Sequence, residues 1–478
     1  MEGGIFMYGI FQEFGDIRCN YQSTIHNKPA SIPMSKFLFT AFTLFYLLTL
    51  ITFPRTLCAQ TADRYYLIKA GQLYDSEKNV FLKNKQILIK GNVIQKVGDK
   101  IDAPQGTTVL DYGNATVTPG LIDAHTHLLF RQGPTDNLAY DGMMNSPETR
   151  VLRAVGYAKS YLNAGFTTIR DLGNSEQYLD LEVRNAIERG DFPGPRMAVS
   201  GPIISAMDGQ LYGMPVKEFD KYSNKEYAMV SGVEEARKAV KQHIARGVDV
   251  IKITVFGNRL VLTLEEMKAI VQAAHSERVK VTAHCDRDWA VHAAIEAGVD
   301  GLEHGYGFKQ STLDTMAKRK IYLVPTDGSA DLRISYLKSQ NIPFNEQEVK
   351  SNFKPLYDRI MAAHKAGVLI VAGSDAYVDL NLPRGETAKH TVSGYFDAGL
   401  SAADVLKTAT YNAAIALGME NQIGVIKENA MADISVFEGD IQKDFKQSLF
   451  DVKMVMKNGV LEYQKPAQNP AKGSAAKH

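Results

Sequence analysis

Six side chains of metal-binding type stand at or near the ends of short apolar runs in this sequence. His125 and His127 lie two apart at the close of Leu121–His127. On a strand, residues i and i+2 share one face, so both imidazoles would point to the same place. Neutral imidazole suits zinc and related divalent ions; a hydrogen-bonded structural pair is the plainer alternative. His284 ends Val281-Thr282-Ala283-His284, His304 ends Gly301-Leu302-Glu303-His304, and Asp375 follows Val371-Ala372-Gly373-Ser374. Lys252 stands inside Val248–Val255, a run otherwise fit for a buried strand. A buried ammonium is costly, and burial lowers the amine's pKa. Such a lysine snorkels, pairs with a carboxylate, or reacts as the neutral amine with carbon dioxide. The last product is a carbamate able to bridge two metals.

To bring these six together, the chain needs an element set whose strand ends converge. Eight apolar runs fit: Leu121–His127, Phe166–Asp171, Met197–Ile203, Val248–Val255, Val279–His284, Val299–His304, Ile321–Pro325 and Val368–Ser374. They are continuous rather than alternating, as parallel strands buried on both faces are. Helical stretches separate them, with start signals at Ser146-Pro147-Glu148 and a capping box at Thr263-Leu264-Glu265-Glu266. Eight strands alternating with helices predict a (β/α)8 TIM barrel, whose active sites lie at the C-terminal strand ends. An open doubly wound sheet is the alternative.

Alternating segments flank this region: Tyr65–Ile68, Gln86–Ile89, Val93-Ile94 and Thr107–Leu110 before it, Asp433–Phe437 and Val452–Met456 after it. The turn Lys457-Asn458-Gly459 is a hairpin signal. Both ends are expected to combine in a small antiparallel β-sandwich domain. The division is then an N-terminal extension with signal (1–59), a first sheet portion (60–118), the barrel (119–418), a second sheet portion (419–464) and a disordered tail (465–478).

Composition excludes little beyond extremes. The 478 residues are 45% hydrophobic and 22% charged, with a net charge of +1, which gives no reason to expect nucleic acid. Lys36, the apolar run Phe37–Phe53, Pro54, Arg55 and Leu57-Cys58-Ala59 follow the order of a secretory signal. An uncleaved anchor is the alternative, and Met34 can be the true start. Leu57 before Cys58 argues against a lipoprotein site. Export to the periplasm or beyond is expected, with no stable membrane insertion once the signal is cleaved. Cys285 would then be the sole cysteine of the mature chain, so packing rather than a disulfide must stabilise it.

The run Val117-Thr118-Pro119-Gly120-Leu121-Ile122-Asp123-Ala124-His125-Thr126-His127 resembles the amidohydrolase superfamily, as do Lys252, His284, Glu303-His304-Gly305 and Ala372-Gly373-Ser374-Asp375. The resemblance extends to Ala409–Ala414 and Ala432-Asp433-Ile434. Gly165–Asp171 and the fourth-strand lysine look like the Xaa-Pro-dipeptidase-like group, which is related to imidazolonepropionases; ochratoxin-hydrolysing amidases are also similar. One departure is the stretch Ser205–Gln210, where relatives commonly carry a Gly-Gly-His-Gly-like loop.

The resemblance implies two divalent metals, zinc by preference. His125, His127 and Asp375 would hold one, His284 and His304 the other, and carbamylated Lys252 would bridge them. Asp375 would act as general base and then acid in cleaving an amide bond of a dipeptide or N-acyl amino acid. Tyr306, Arg259 and Arg384 are the candidate anchors for a substrate carboxylate, and a homo-oligomer is expected. The rival readings are imidazolonepropionase-like ring opening, another cyclic-amide hydrolase of the dihydroorotase type, an ochratoxin-type amidase, and a non-catalytic barrel. His243, His275, His292, His364 and His390 fall in helical stretches and are read as packing or surface residues.

Overall fold

A computed structural model of the chain describes residues 64–134, 136, 139–210, 216–256 and 259–466. The signal-like segment and most of the tail lie outside them. Chain order begins with β1 (Tyr65–Asp75), β2 (Val80–Lys90), β3 (Val93–Gly98) and β4 (Thr108–Pro119). The central strands are β5 (Leu121–Thr126), β6 (Phe166–Asp171), β7 (Arg196–Val199), β8 (Ile203–Ser205), β9 (Tyr227–Met229), β10 (Val250–Thr254), β11 (Lys280–Cys285), β12 (Gly301–His304) and β13 (Tyr322–Val324). The last three are β14 (Ile434–Glu438), β15 (Val452–Lys457) and β16 (Val460–Gln464).

Both chain ends contribute to one seven-stranded sheet, ordered β16-β15-β14-β4-β1-β2-β3. Its core face carries Ile68, Leu73, Ile87, Val117, Val436 and Met454, all buried. The sheet is not wholly antiparallel as expected, because β1 and β4 pair in parallel. The chain between them passes through β2 and β3 before returning, which reverses its direction twice. In the β15–β16 hairpin, Asn458 (φ 50) and Gly459 (φ 71) occupy the two left-handed positions of the turn.

The central strands lie in two parallel groups, β5-β6-β7 and β13-β12-β11-β10-β8-β9. Every residue of β5, β6 and β10 is buried, so these strands show no alternation between a core and a solvent face. Helices follow with the expected starts. Ser146 accepts from Thr149 N with Pro147 in the first turn, and Thr263 and Glu266 form a reciprocal capping box.

Two of the eight expected strands differ. Met197–Ile203 is split into β7 and β8, because Gly201 turns left-handed (φ 65) and Pro202 has no amide to give a ladder. Val368–Ser374 makes a single bridge, Leu323↔Ile370, rather than a ladder strand. Its amides are nevertheless engaged on both sides. Val371 N donates to Leu323 O (2.9 Å), Ala124 N to Ala372 O (2.9 Å), and Asp375 N to His125 O (2.8 Å). The Asp123 carboxylate replaces ladder partners by accepting from Ser374 N (2.9 Å) and Ser374 Oγ (2.5 Å). Gly373 is what permits the approach, since a Cβ there would lie 2.7 Å from His125 Cβ. β9 and its pairing with β8 were not expected from the sequence. Among the described residues, no helix is long and apolar enough to cross a membrane.

Candidate metal centre

The C-terminal ends of β5, β10, β11 and β12 and the segment ending at Asp375 meet at a cavity of about 250 Å³. His125, His127, Lys252, His284, His304 and Asp375 all line it. His125, His127, His284 and His304 stand at the ends of β5, β11 and β12, Lys252 lies midway along β10, and Asp375 follows the 368–374 segment, and all six face one cavity.

Three of the six form a tight group. Ligand atoms of His125, His127 and Asp375 lie within 4.8 Å of one another. Asp375 Oδ1 is 3.3 Å from His127 Nε2 and 3.6 Å from His125 Nε2. His284 and His304 adjoin it, their ring centroids 4.4 Å apart, and His304 lies 5.1 Å from the His125 ring. Among the described residues neither Lys252 nor the His284 ring has a hydrogen-bond partner.

The rings are oriented from behind. His125 Nδ1 donates to Glu303 Oε2 (2.7 Å) and His127 Nδ1 to Gly173 O (2.9 Å). Thr326 Oγ1 gives its own proton to Pro325 O, so it accepts from His304 Nδ1 (2.9 Å). Nδ1 therefore carries the proton in these rings, which leaves His125 Nε2 bare and turns His127 Nε2 toward the Asp375 carboxylate, whose charge raises the His127 pKa against the effect of burial. His125 Nε2 and Asp375 Oδ1 are buried and have no partner. Buried lone pairs left unmatched are rare in folded proteins. A divalent cation between them satisfies both, so the donor set fits a metal.

Charge balance points the same way. Burial, and then the Lys252 charge, pushes His125 down to about 4 and His284 down to about 3. These imidazoles are neutral at ordinary pH. Burial brings the Lys252 amine down to about 8 against the opposing pull of Glu303 and Asp375. Burial disfavours the charge on Glu303, but Arg170 and His125 more than offset it and hold the carboxyl well below its usual range. Arg170 donates to Glu303 Oε1 (2.8 Å), Tyr322 Oη (2.7 Å) and Ala124 O (2.6 Å). A fully buried Arg–Glu–His relay thus runs beneath the ligands.

Backbone strain gathers here as well. His304 (φ 70), Thr326 (φ 61) and Asp375 (φ 51) are left-handed without being glycine. Such residues cost of order 1–3 kcal/mol each and persist where surroundings over-determine them. A second strained stretch, Glu176-Gln177-Tyr178 (φ 40, 41 and 76), follows Gly173 and Asn174. Arg150 clamps it, donating to Asn174 O (2.5 Å) and pairing with Glu226 (2.6 Å); both side chains are fully buried. The clamped carbonyl is one residue beyond Gly173, whose own carbonyl orients His127.

The expected carboxylate anchors fare differently. Tyr306 stacks on His304 (centroids 5.8 Å) and its hydroxyl contacts Thr326 Oγ1 (3.2 Å). Arg259 is exposed and does not line the cavity; its backbone amide donates to Asp208. Arg384 is a correction. It is buried, with its guanidinium given to the carbonyls of Phe130, Ala376 and Tyr377 and stacked over Tyr157. It is therefore a brace for the segment after Asp375. The arginine that does line the cavity is Arg287, three residues beyond His284. Sequence reasoning also passed over Glu303 and Arg170. Both interrupt apolar strands as Lys252 does, and that signal could have found them.

The chain belongs to the amidohydrolase family, whose model matches residues 116–461. Among curated proteins it is similar to ochratoxinase of Aspergillus niger, 27% identical over 426 residues covering 82% of this chain and 85% of the relative. The crystal structure of that ochratoxinase superposes with a TM-score of 0.71 at 26% identity, covering 87% of this chain and 99% of the other. A crystal structure of a Xaa-Pro dipeptidase with bound methionine in the active site gives a TM-score of 0.71 at 27% identity, covering 84% and 100%.

Proposed function

We propose that this amidohydrolase cleaves the amide bond of a dipeptide or an N-acyl amino acid and uses two divalent metals, zinc by preference, to do so. The observation that carries the reading is the buried, partnerless pair His125 Nε2 and Asp375 Oδ1, 3.6 Å apart at the end of converging strands. Similarity to a dipeptidase and to an ochratoxinase supports the substrate class. We also propose that the two parallel strand groups and the 368–375 segment make up a closed (β/α)8 barrel. The bonds to Leu323 and Ala124 on one side support this, as does the Asp249 N to Val199 O bond (2.8 Å) on the other.

His125, His127 and Asp375 would hold one metal, His284 and His304 the other, with Lys252 as its carbamate between them. When bound, such a pair acidifies a water and polarises the scissile carbonyl. The protein's own groups do the rest. Asp375 takes a proton from the attacking water and hands it to the departing amine nitrogen. Glu303, through His125, and Gly173 O, through His127, keep the imidazoles aimed during that transfer. Phe130, Tyr227, Phe256 and Tyr377 wall the cavity with aromatic surface suited to an apolar side chain.

The test is a screen of dipeptides and N-acyl amino acids with metal-quantified protein. Hydrolysis that a chelator abolishes and zinc restores is expected; no turnover by fully loaded protein would sink the reading. Lys252→Ala should lose metal and activity together, and full metal content in that variant would refute the bridging role.

A further inference from the structure

Three buried or half-buried arginines stand near this cavity, and all three are already committed. Arg170 is taken by Glu303 and Tyr322, Arg384 by backbone carbonyls, and Arg359 by Asp327 and His304 O. Arg287 differs. It is the one arginine among the described residues that lines the cavity, and its guanidinium makes no side-chain hydrogen bond. Its nearest acid, Asp286 Oδ1, stands 3.6 Å from Nε, beyond hydrogen-bond length, and its side chain is 61% exposed. The guanidinium rests 5.3 Å over the ring of Phe256, which itself packs edge-on against His284. Stacking on an aromatic face holds an arginine in place without consuming its donors.

We propose that Arg287 determines specificity by receiving the free carboxylate of the substrate's leaving amino acid. Asp286 approaches from the Nε side, which leaves the two Nη groups for a bidentate carboxylate pair. The proposal rests on the amidase reading and narrows it: the enzyme acts on free acids at a chain terminus, not on internal or carboxylate-free amides. Phe256 contributes the surface that holds the guanidinium and also packs against His284. Anchor and ligand cluster are thus a fixed distance apart along one loop, so the length of one amino acid sets which amide reaches Asp375.

The experiment compares N-acetyl-L-phenylalanine with N-acetyl-2-phenylethylamine, which lacks the carboxylate, on the zinc-loaded full chain. For Arg287→Met, KM for the acid should rise roughly 10- to 100-fold, the range of a lost charged hydrogen-bond pair, with kcat within about threefold. The carboxylate-free substrate should be unaffected, and Arg287→Lys should recover part of the loss. An unchanged KM for the acid would overturn the proposal, as would equal losses on both substrates. If the wild-type protein hydrolyses neither, calorimetric titration of the two compounds separates the questions. Selective loss of acid binding in Arg287→Met keeps the anchor while the amidase reading falls; equal binding in wild type and variant removes the anchor.

Discussion

The two sides of the cavity are built on different terms. On the side of β5, β6 and the segment reaching Asp375, nearly every polar atom behind the ligands is spoken for. Gly173 O, Asp123, Arg170 and Arg384, with Glu303 reaching across from β12, lock imidazoles and backbone in single arrangements. On the side of β10 and β11, Lys252 and His284 lack hydrogen bonds within the described protein. The rim beyond them is Phe256, Arg287 and Trp289, the last 63% exposed. The braced side pre-organises ligands whose positions cannot vary by much. The looser side is free to meet a substrate, and the carbamylation proposed for Lys252 would take place there.

Substitutions that fall on one side should therefore read out differently from those on the other. The largest effect is expected for Asp375→Asn, about 10²- to 10⁴-fold in kcat while at least one metal stays bound. Near-normal turnover with metal content measured by mass spectrometry would remove its proton role. Arg150→Met leaves Glu226 buried without its partner and should cost about 3–5 kcal/mol in a denaturant melt. It should also loosen the strained turn behind His127; a change below about 1 kcal/mol would show that the clamp is not a stabilising element. Glu303→Gln keeps the shape but weakens the hold on His125, and metal affinity should drop about 10- to 100-fold in a chelator competition. An unaltered affinity would mean that ring orientation is set elsewhere. The smallest effect belongs to Arg259→Ala, which lies off the cavity: stability within about 0.5 kcal/mol and unaltered KM. A large KM rise there would blur the contrast between the two sides.

The sequence made the strands and their ligand ends legible because burial on both faces writes itself as a continuous apolar run. His125, His127, Lys252, His284, His304 and Asp375 stood out as polar residues at the ends or within such runs, and all six border one cavity. Glu303 and Arg170 carried the same mark and were not weighed, because their partners lie on neighbouring strands and no spacing rule links them. Arg384 misled for the opposite reason. It follows Pro383 in what reads as a loop, yet its role comes from three carbonyls gathered by tertiary folding. The eighth run was apolar enough for a strand, but Asp123 supplies side-chain oxygens where ladder amides would otherwise pair. Local pattern cannot see a carboxylate from 251 positions away.

The seven-stranded sheet also sets a timetable. β4 emerges early from the ribosome, yet its antiparallel neighbour β14 lies more than 300 residues downstream. Until that strand arrives, one side of β4 is an open edge, and exposed edges recruit other chains. Closing so long a loop adds little free energy but delays pairing. The nascent chain thus passes through a long interval in which its central strands can be in place and its first sheet unfinished. Removing β14 to β16 should leave a protein that fails by aggregation rather than by loss of chemistry.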